Sequence, residues 1–152
     1  MKVRLDPSKA APDGMKAMVA VEMYVRSSGL DASLIHLVKM RASQINGCAF
    51  CIDMHSRDAM AHGESAQRLF LLDAWRETSL FSDPERAALA WTEALTRIVE
   101  TQAPDDVFEE VSRYYSEAEL TNLSLLIAVI NAWNRLAIGF RTGGTIKRDR
   151  AA

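Results

Sequence analysis

Apolar side chains recur every three or four residues along most of this 152-residue chain, and its few prolines and glycines fall between the resulting stripes. Such spacing places apolar groups on one face of an α-helix. Strands need alternation with a period of two, and no alternating segment of useful length occurs. The pattern predicts one all-α domain of six or seven helices over residues 1–152, with a core over about 14–140 and a loose tail over 141–152.

The helix ends can be placed from their capping residues. Ser82 and Ser116 each precede a glutamate by three residues, which is the spacing of a capping box. Asp31 is a candidate N-cap, and Asn46-Gly47 is a turn dipeptide. The predicted helices cover residues 15 to about 29, 31–46, 48 to about 63, a segment carrying Leu69, Leu72 and Trp75, 82 to about 98, 104–114, and 116 to about 140.

Charge and hydropathy exclude several classes of protein. The 18 basic and 20 acidic residues form no block of like charge, so we expect no nucleic-acid partner. Residues 1–14, MKVRLDPSKAAPDG, lack the apolar stretch of a secretory signal. The most apolar segment, residues 123–140, contains Asn131, Asn134 and Arg135, which argues against a membrane span. The expected location is therefore cytoplasmic, where a purely structural disulfide would not persist.

Both cysteines of the chain lie at a predicted helix start, in NGCAFCIDMH. The unpaired N–H groups and the positive dipole at that end favour a thiolate over a thiol. A separation of three residues puts Cys48 and Cys51 on one face, with Cα atoms roughly 5 Å apart, which a disulfide can bridge. His55 lies on the same face, within reach of a sulfur as proton acceptor or donor. Together these residues indicate a redox dithiol.

Three other readings of the cysteine pair remain. Cys48 and Cys51 could be two small buried apolar residues. They could bind zinc with His55 and either His36 or His62, although the chain has no second CxxC pair. A thioredoxin-like fold would need a strand before the motif, whereas a helix is predicted there. We expect no metal and no cofactor.

Residues 37–55, LVKMRASQINGCAFCIDMH, resemble the core motif of the alkylhydroperoxidase D-like proteins of the carboxymuconolactone decarboxylase superfamily. The resemblance continues in WRE at 75–77, FS at 81–82, ERAALAWTEA at 85–94 and NAWNR at 131–135. It implies an all-helical bundle that assembles into homo-dimers, trimers or hexamers. It also implies a peroxidase that reduces organic hydroperoxides or hydrogen peroxide with a CxxC pair.

The resemblance assigns roles to individual residues. Cys51 matches the cysteine that attacks the peroxide and becomes a sulfenic acid. Cys48 matches the proton donor and resolving thiol that then forms the disulfide, and His55 matches the histidine that relays protons. An external dithiol, lipoyl-bearing or thioredoxin-like, would reduce the disulfide again. Alternatives from other classes are a redox sensor or interaction protein with little turnover, and a lactone decarboxylase-type lyase that does not use the thiols.

The chain departs from alkylhydroperoxidase D twelve residues before Cys48, where His36 replaces a glutamate that assists the histidine. An imidazole can also relay protons, so His36 is either a substitute relay or a packing residue beside Met40. Glu22, on the stripe of the first helix, could supply the missing carboxylate or could face water at the edge of that stripe.

Some further residues stand out by their position. His62, just before Gly63, is placed to interact with a helix C-terminus. Arg135, inside an apolar helix, should pair with a carboxylate such as Glu93 or Asp73. Six methionines between residues 15 and 60 either line a pocket for an organic hydroperoxide or pack in the core: Met15, Met18, Met23, Met40, Met54 and Met60.

Overall fold

The computed structural model describes residues 2–143, and every regular element in that range is a helix. The elements are α1 (Pro7–Ala10), α2 (Pro12–Arg26), α3 (Ala32–Asn46), α4 (Ala49–Ala61), α5 (Ala66–Leu71), a 3-10 helix (Leu72–Glu77), α6 (Asp83–Thr96), α7 (Ile98–Thr101), α8 (Asp105–Ser112) and α9 (Glu117–Phe140). The predicted all-α class is confirmed. Seven α-helices in the described range have six residues or more, and the one-turn helices α1 and α7 are additional.

The capping residues form the bonds that their spacing predicts. The Asp31 carboxylate accepts a hydrogen bond from the backbone N–H of Leu34 at 3.1 Å. Glu85 and Glu119 accept from the backbone N–H groups of Ser82 and Ser116, at 2.8 and 2.9 Å. Each cap satisfies a donor that the helix itself leaves unpaired and contributes about 1 kcal/mol.

The segment predicted as one helix through Leu69, Leu72 and Trp75 is divided. α5 ends at Leu71, the 3-10 helix follows, and Ala74 inside it has non-helical dihedrals of φ −106° and ψ 27°. The change of winding at Ala74 breaks the regular helical spacing between Leu72 and Trp75. All three predicted apolar side chains are buried despite the change of winding.

α3 is the central helix, because it packs against α4, α6 and α9. Its side chains are buried on nearly every face, including Leu37, Val38 and Ala42. On one side an apolar cluster joins α3 to α2, α6, α8 and α9 through residues such as Val25, Leu123 and Ile127. On another side a second cluster joins α3 to α4, α5 and the 3-10 helix. Polar residues of α3 are consequently enclosed from several directions.

α9 has 24 residues and is long and apolar enough to span a membrane by length and composition alone. Its polar residues nevertheless bond within the bundle. Asn131 donates to Thr96 Oγ1 at 3.0 Å, and Asn134 donates to Ser43 Oγ at 3.1 Å. These bonds, together with its buried leucines and isoleucines, pack one side of α9 into the bundle.

The partner predicted for Arg135 is wrong. Its guanidinium donates to the backbone carbonyl and the side-chain oxygen of Asn131, both at 2.9 Å. Glu93 and Asp73 are instead bound by Arg41, which reaches them from α3. Helical period identifies the face of a side chain, but the choice between competing arginines depends on how the helices pack.

The two ends of the described range meet beside α9. The backbone N–H of Arg4 donates to the carbonyl of Phe140 at 2.9 Å, and the Arg4 side chain donates to Gly139 O at 3.1 Å. Arg141 ends α9 in the left-handed region, with φ 56°. The loose tail predicted for 141–152 lies, from residue 144 onward, outside the described residues.

Candidate active site

The cysteine motif begins where α3 stops. Gly47 ends α3 with φ 67°, a left-handed conformation that glycine adopts without a steric penalty. The Asn46 side chain donates to the Oδ1 atoms of Asn131 and Asn134, at 3.0 and 2.9 Å, which ties the turn to α9. Cys48 follows as the N-cap of α4, and its sulfur accepts from the backbone N–H of Cys51 at 3.4 Å. The predicted position of the motif is confirmed.

Cys48 and Cys51 are joined in a disulfide, with their Cα atoms 5.3 Å apart. Both residues are 2% exposed. The disulfide is therefore buried in the bundle, at the first turn of α4. Within residues 2–143, no group of three or more histidines, cysteines and carboxylates is arranged to hold a metal ion.

His55 lies one turn beyond Cys51 on α4 and is 4% exposed. Its Nε2 is buried and has no hydrogen-bond partner in the part of the chain that the structure describes. Burial, assisted by the nearby Lys39 ammonium, lowers the pKa of His55 to about 4. At neutral pH the imidazole is uncharged in this oxidised state and can accept a proton.

A buried ion pair lies beside this histidine. The Lys39 ammonium on α3 bonds to Oε1 of Glu22 on α2, and the same oxygen accepts from Arg26 Nε at 2.8 Å. Burial raises the pKa of Glu22, but the hydrogen bonds from Lys39 and Arg26 outweigh it and leave the pKa lowered. Burial also lowers the pKa of Lys39, against the opposing effect of Glu22. Glu22 Oε2 has no hydrogen-bond partner among residues 2–143.

A pocket of about 320 Å³ opens onto Cys51 and His55, and Glu22 also lines it. This substrate-sized pocket, called the front pocket below, is mainly apolar. Its apolar lining includes Met15, Phe50, Met54, Ile130, Trp133 and Leu136. Two of the six methionines considered above thus line a pocket, while Met40 is buried in the core.

A smaller pocket of about 180 Å³, the rear pocket, lies between α2, α3 and α4. It is lined by all three histidines of the chain, His36, His55 and His62, together with Lys39 and Arg26. The rings of His36 and His62 lie 4.8 Å apart, centroid to centroid. Burial, followed by the neighbouring His62, lowers the pKa of His36. His55 lines both pockets and stands between them.

Comparison with known proteins identifies the family of this fold. The profile of the carboxymuconolactone decarboxylase family matches residues 12–94. The chain is also 42% identical over 138 residues to the uncharacterized protein YdfG of Bacillus subtilis (strain 168), covering 91% of this chain and 94% of YdfG. The chain belongs to the carboxymuconolactone decarboxylase family.

Solved structures agree with this membership. ATU0492 of Agrobacterium tumefaciens, a protein of unknown function proposed to be the antioxidant defence protein AhpD, superposes with a TM-score of 0.91 at 46% identity, over 96% of this chain and 100% of that one. The debrominase Bmp8 shares the fold, with a TM-score of 0.77 at 22% identity over 88% of this chain and 72% of its own. The chain is an alkylhydroperoxidase D-like member of its family.

The sequence alone identifies most of the polar residues near the disulfide, but it does not identify Lys39. One signal was available: Lys39 lies four residues after Ile35 and next to Val38, on a helix whose other predicted inward residues are apolar. A lysine there must bury its ammonium or bend away to water. The rear pocket had no comparable signal, because it depends on three helices meeting.

Proposed function

We propose that the chain reduces hydroperoxides through Cys48 and Cys51, which cycle between dithiol and disulfide. The observation that carries the proposal is that Cys51 and the buried, uncharged His55 line the same apolar pocket. A peroxide bound there would meet a thiol and a proton acceptor with little competing water. The family membership and the AhpD name proposed for ATU0492 support the same chemistry.

In the first step, His55 relays the proton of the Cys51 thiol out of the pocket and leaves a thiolate. The thiolate attacks the terminal oxygen of the hydroperoxide, the O–O bond breaks, and Cys51 becomes a sulfenic acid. The departing alkoxide leaves as an alcohol with a proton supplied by the Cys48 thiol or by His55. Cys51 takes the attacking role because it lines the front pocket.

In the second step, the Cys48 thiolate attacks the sulfenic sulfur, and hydroxide leaves as water after taking a proton. Cys48 is suited to this role because its sulfur already accepts the Cys51 N–H at the positive end of α4. The same stabilisation helps when an external thiolate attacks Cys51, since Cys48 then leaves as a thiolate. The N-cap position therefore favours the resolving cysteine, whereas pocket access favours the attacking one.

Proton transfer needs a group behind His55, and the family's glutamate is absent. Glu22 is our first candidate, because it lines the front pocket with His55 and keeps Oε2 unbonded within the described residues. His36, which occupies the family position of that glutamate, is the second and lines the rear pocket with His55. Lys39 would then act as a positioning residue that holds Glu22 ionised.

The reductant must reach a disulfide whose cysteines are each 2% exposed. A slender dithiol, such as a lipoyl arm, can enter the front pocket and attack Cys51. The surface-borne dithiol of a thioredoxin-like protein could do so only if α4 moved. We therefore expect dihydrolipoamide to support faster turnover than a thioredoxin at equal concentration.

Assembly into a homo-oligomer is also proposed. Several large apolar side chains are exposed on the single chain, among them Val99 at 87%, Phe70 at 82% and Met23 at 60%. Apolar surface of this kind marks contact sites more often than free surface when it is contiguous. Sedimentation should give a species well above the 16.9 kDa chain mass, and a stable species at that mass would contradict the proposal.

The decisive experiment is a thiol titration of reduced protein with one equivalent of hydroperoxide. Loss of two thiols together with catalytic peroxide consumption supports the proposal. Cys51→Ser should abolish consumption, and Cys48→Ser should leave a trappable sulfenic acid on Cys51. A sulfenic acid on Cys48 in the Cys51→Ser protein would reverse the roles. Thiol loss without repeated turnover indicates a sensor, and lactone turnover that survives both substitutions indicates a lyase.

A further inference from the structure

We propose that the rear pocket is a proton entry separate from the front pocket, in which His62 and His36 pass protons between solvent and His55. This inference rests on the proposed function only in that His55 serves Cys51 and Cys48. It adds a role for His62 and gives the two pockets different functions. Substrate and reductant enter the front pocket, and protons pass through the rear pocket.

The first support is a gradient of exposure along the three histidines. His62 is exposed at the end of α4, His36 is half-buried on α3, and His55 is 4% exposed beside the disulfide. All three line the same rear pocket, and no histidine of the chain lies elsewhere. One pocket thus carries imidazoles from the surface to the side of the disulfide.

The second support is the set of ring nitrogens that have no protein partner. His62 Nδ1 lies 2.7 Å from the carbonyl oxygen of Asp58, so this nitrogen carries a proton and donates it. That fixes Nε2 of a neutral His62 as the acceptor. His36 Nδ1 and His55 Nε2 are both buried and unbonded within residues 2–143. Buried unpaired polar atoms are costly, and a pocket of about 180 Å³ that holds these ring nitrogens has room for waters that would satisfy and connect them.

The third support is the chemistry of the front pocket. Its apolar lining excludes water once a hydroperoxide or a reductant fills it. Reduction of the disulfide nevertheless generates two cysteine sulfurs that must each regain a proton. A route that remains open while the front pocket is occupied meets this requirement. His55 and Arg26 line both pockets, and of these two His55 is the residue with an imidazole that can pass a proton.

The charges around the rear pocket suit imidazoles that stay neutral and exchange protons. Arg26 approaches from α2, Lys39 from α3 and Asp58 from α4, while Glu22 faces His55 from α2. Burial is the largest cause of the lowered pKa of His36; Lys39 and Arg26 add to it, and Asp58 opposes them. A proton that reaches this imidazole is therefore not trapped there.

The test uses His62→Asn and His62→Ala in the full chain. Asparagine can keep the donor to the Asp58 carbonyl but cannot titrate, so it separates proton transfer from helix capping. The readout is the rate at which dithiothreitol reduces the disulfide between pH 6 and 8, which requires no peroxide chemistry. We expect both variants to react about tenfold more slowly near pH 7 and to have a changed pH profile. Imidazole should restore the rate of His62→Ala.

Met15→Leu is the matched control, because it alters the front pocket and leaves the rear pocket intact. It should change the dependence on dithiothreitol concentration without any response to imidazole. Wild-type pH profiles in both His62 variants would overturn the proton entry, as would slowing that imidazole does not relieve. Peroxide consumption is measured separately on wild-type protein. Its absence would defeat the proposed function while leaving the dithiothreitol result to decide the role of His62.

Discussion

Two polar clusters lie on opposite faces of α3, because Lys39 and Arg41 are two residues apart and therefore point about 200° apart around the helix. The Glu93 cluster comprises Arg41, Asp73, Trp75, Arg76 and Glu93. The His55 cluster comprises Glu22, His36, Lys39 and His55. Both are enclosed by the same bundle, yet they differ in how completely their polar atoms are bonded.

In the Glu93 cluster both carboxylate oxygens of Glu93 are occupied. Oε1 accepts from Arg41 Nε and Trp75 Nε1, each at 2.8 Å, and Oε2 accepts from Arg76 at 2.5 Å. Burial raises the pKa of Glu93, but these donors outweigh it and hold the pKa below its usual range. A fully bonded cluster of this kind fixes α6 against α3 and the 3-10 helix.

The His55 cluster is incompletely bonded. Glu22 Oε2, His36 Nδ1 and His55 Nε2 are buried without partners in the described part of the chain. Unpaired buried atoms reduce stability, and they are retained where a substrate, a proton or water must be bound in turn. The comparison indicates that the first cluster serves the fold, and it supports our proposal that the second serves chemistry; the following predictions examine that distinction.

Glu93→Gln should have the largest effect, and the effect should be on stability. The amide leaves Arg41 without its buried counter-charge, and removal of one partner from a buried pair costs about 3–5 kcal/mol. Urea unfolding of the oxidised protein at fixed protein concentration measures it. Disulfide reduction per folded molecule should stay close to wild type. A large loss of reactivity with unchanged stability would reverse the assignment of the clusters.

The two clusters should affect the free energy of unfolding over different pH ranges. Unfolded His55 binds a proton below about pH 6.5, whereas folded His55 binds one only near pH 4, so acid favours the unfolded chain between these values. The wild-type free energy of unfolding should fall in that window by up to roughly 3 kcal/mol from this group. His55→Gln should remove that part of the fall.

Glu93 is an acid and His55 is a base, but both make the free energy of unfolding fall as the pH falls. Its lowered pKa gives stability that is present above its unfolded pKa of about 4.3 and is lost as pH falls through the folded value. Glu93→Gln should therefore keep the fall between pH 6.5 and 4, and unfolding curves at four pH values in that range compare the two variants. An unchanged slope in His55→Gln would show that its imidazole is not held neutral.

Features that depend on residues close together in the chain could be predicted from the sequence. The caps at Asp31, Ser82 and Ser116 and the helix start at Cys48 depend on neighbours within three residues, and all formed as expected. The resemblance of NGCAFCIDMH to the family motif likewise predicted the fold correctly. Roles of individual cysteines and histidines remain predictions.

The long-range parts could not be predicted. The sequence suggests Glu93 or Asp73 as the partner of Arg135, whereas Arg41 binds both carboxylates from a different helix. The stripe of the first helix allows Glu22 either a catalytic position or the solvent edge, and only the approach of Lys39 across α2 and α3 places it inside. Helical period determines a face, while the partner on that face depends on crossing angles between helices.

Glu22→Gln should affect chemistry more than stability. An amide cannot carry a proton to His55, so single-turnover peroxide reduction should slow by about tenfold, or on the order of 1.4 kcal/mol of barrier. Arg26 is exposed and can turn to water, whereas the Lys39 ammonium is 3% exposed and loses its counter-charge. Burial already lowers the pKa of Lys39, so this lysine can give up its proton, which the guanidinium of Arg41 cannot do. The stability loss should therefore be smaller than that of Glu93→Gln. Stopped-flow peroxide reduction and urea unfolding are compared on one preparation. A stability loss equal to that of Glu93→Gln, with unchanged turnover, would place Glu22 in the structural class.

Asp73→Asn should have the smallest effect, although Asp73 bonds the same Arg41 guanidinium as Glu93 does. The Asp73 side chain is 77% exposed and that of Glu93 is 12% exposed, so water can replace the carboxylate at position 73 but not at 93. Solvated ion pairs contribute up to about 1 kcal/mol, and the unfolding free energy should fall by less than that. The pairing of Asp73→Asn with Glu93→Gln holds the arginine constant and compares an exposed acid with an enclosed one that also bonds Trp75 and Arg76. Equal losses in the two variants would mean that the number of bonds to Arg41, rather than the enclosure of Glu93, sets the stability of the cluster.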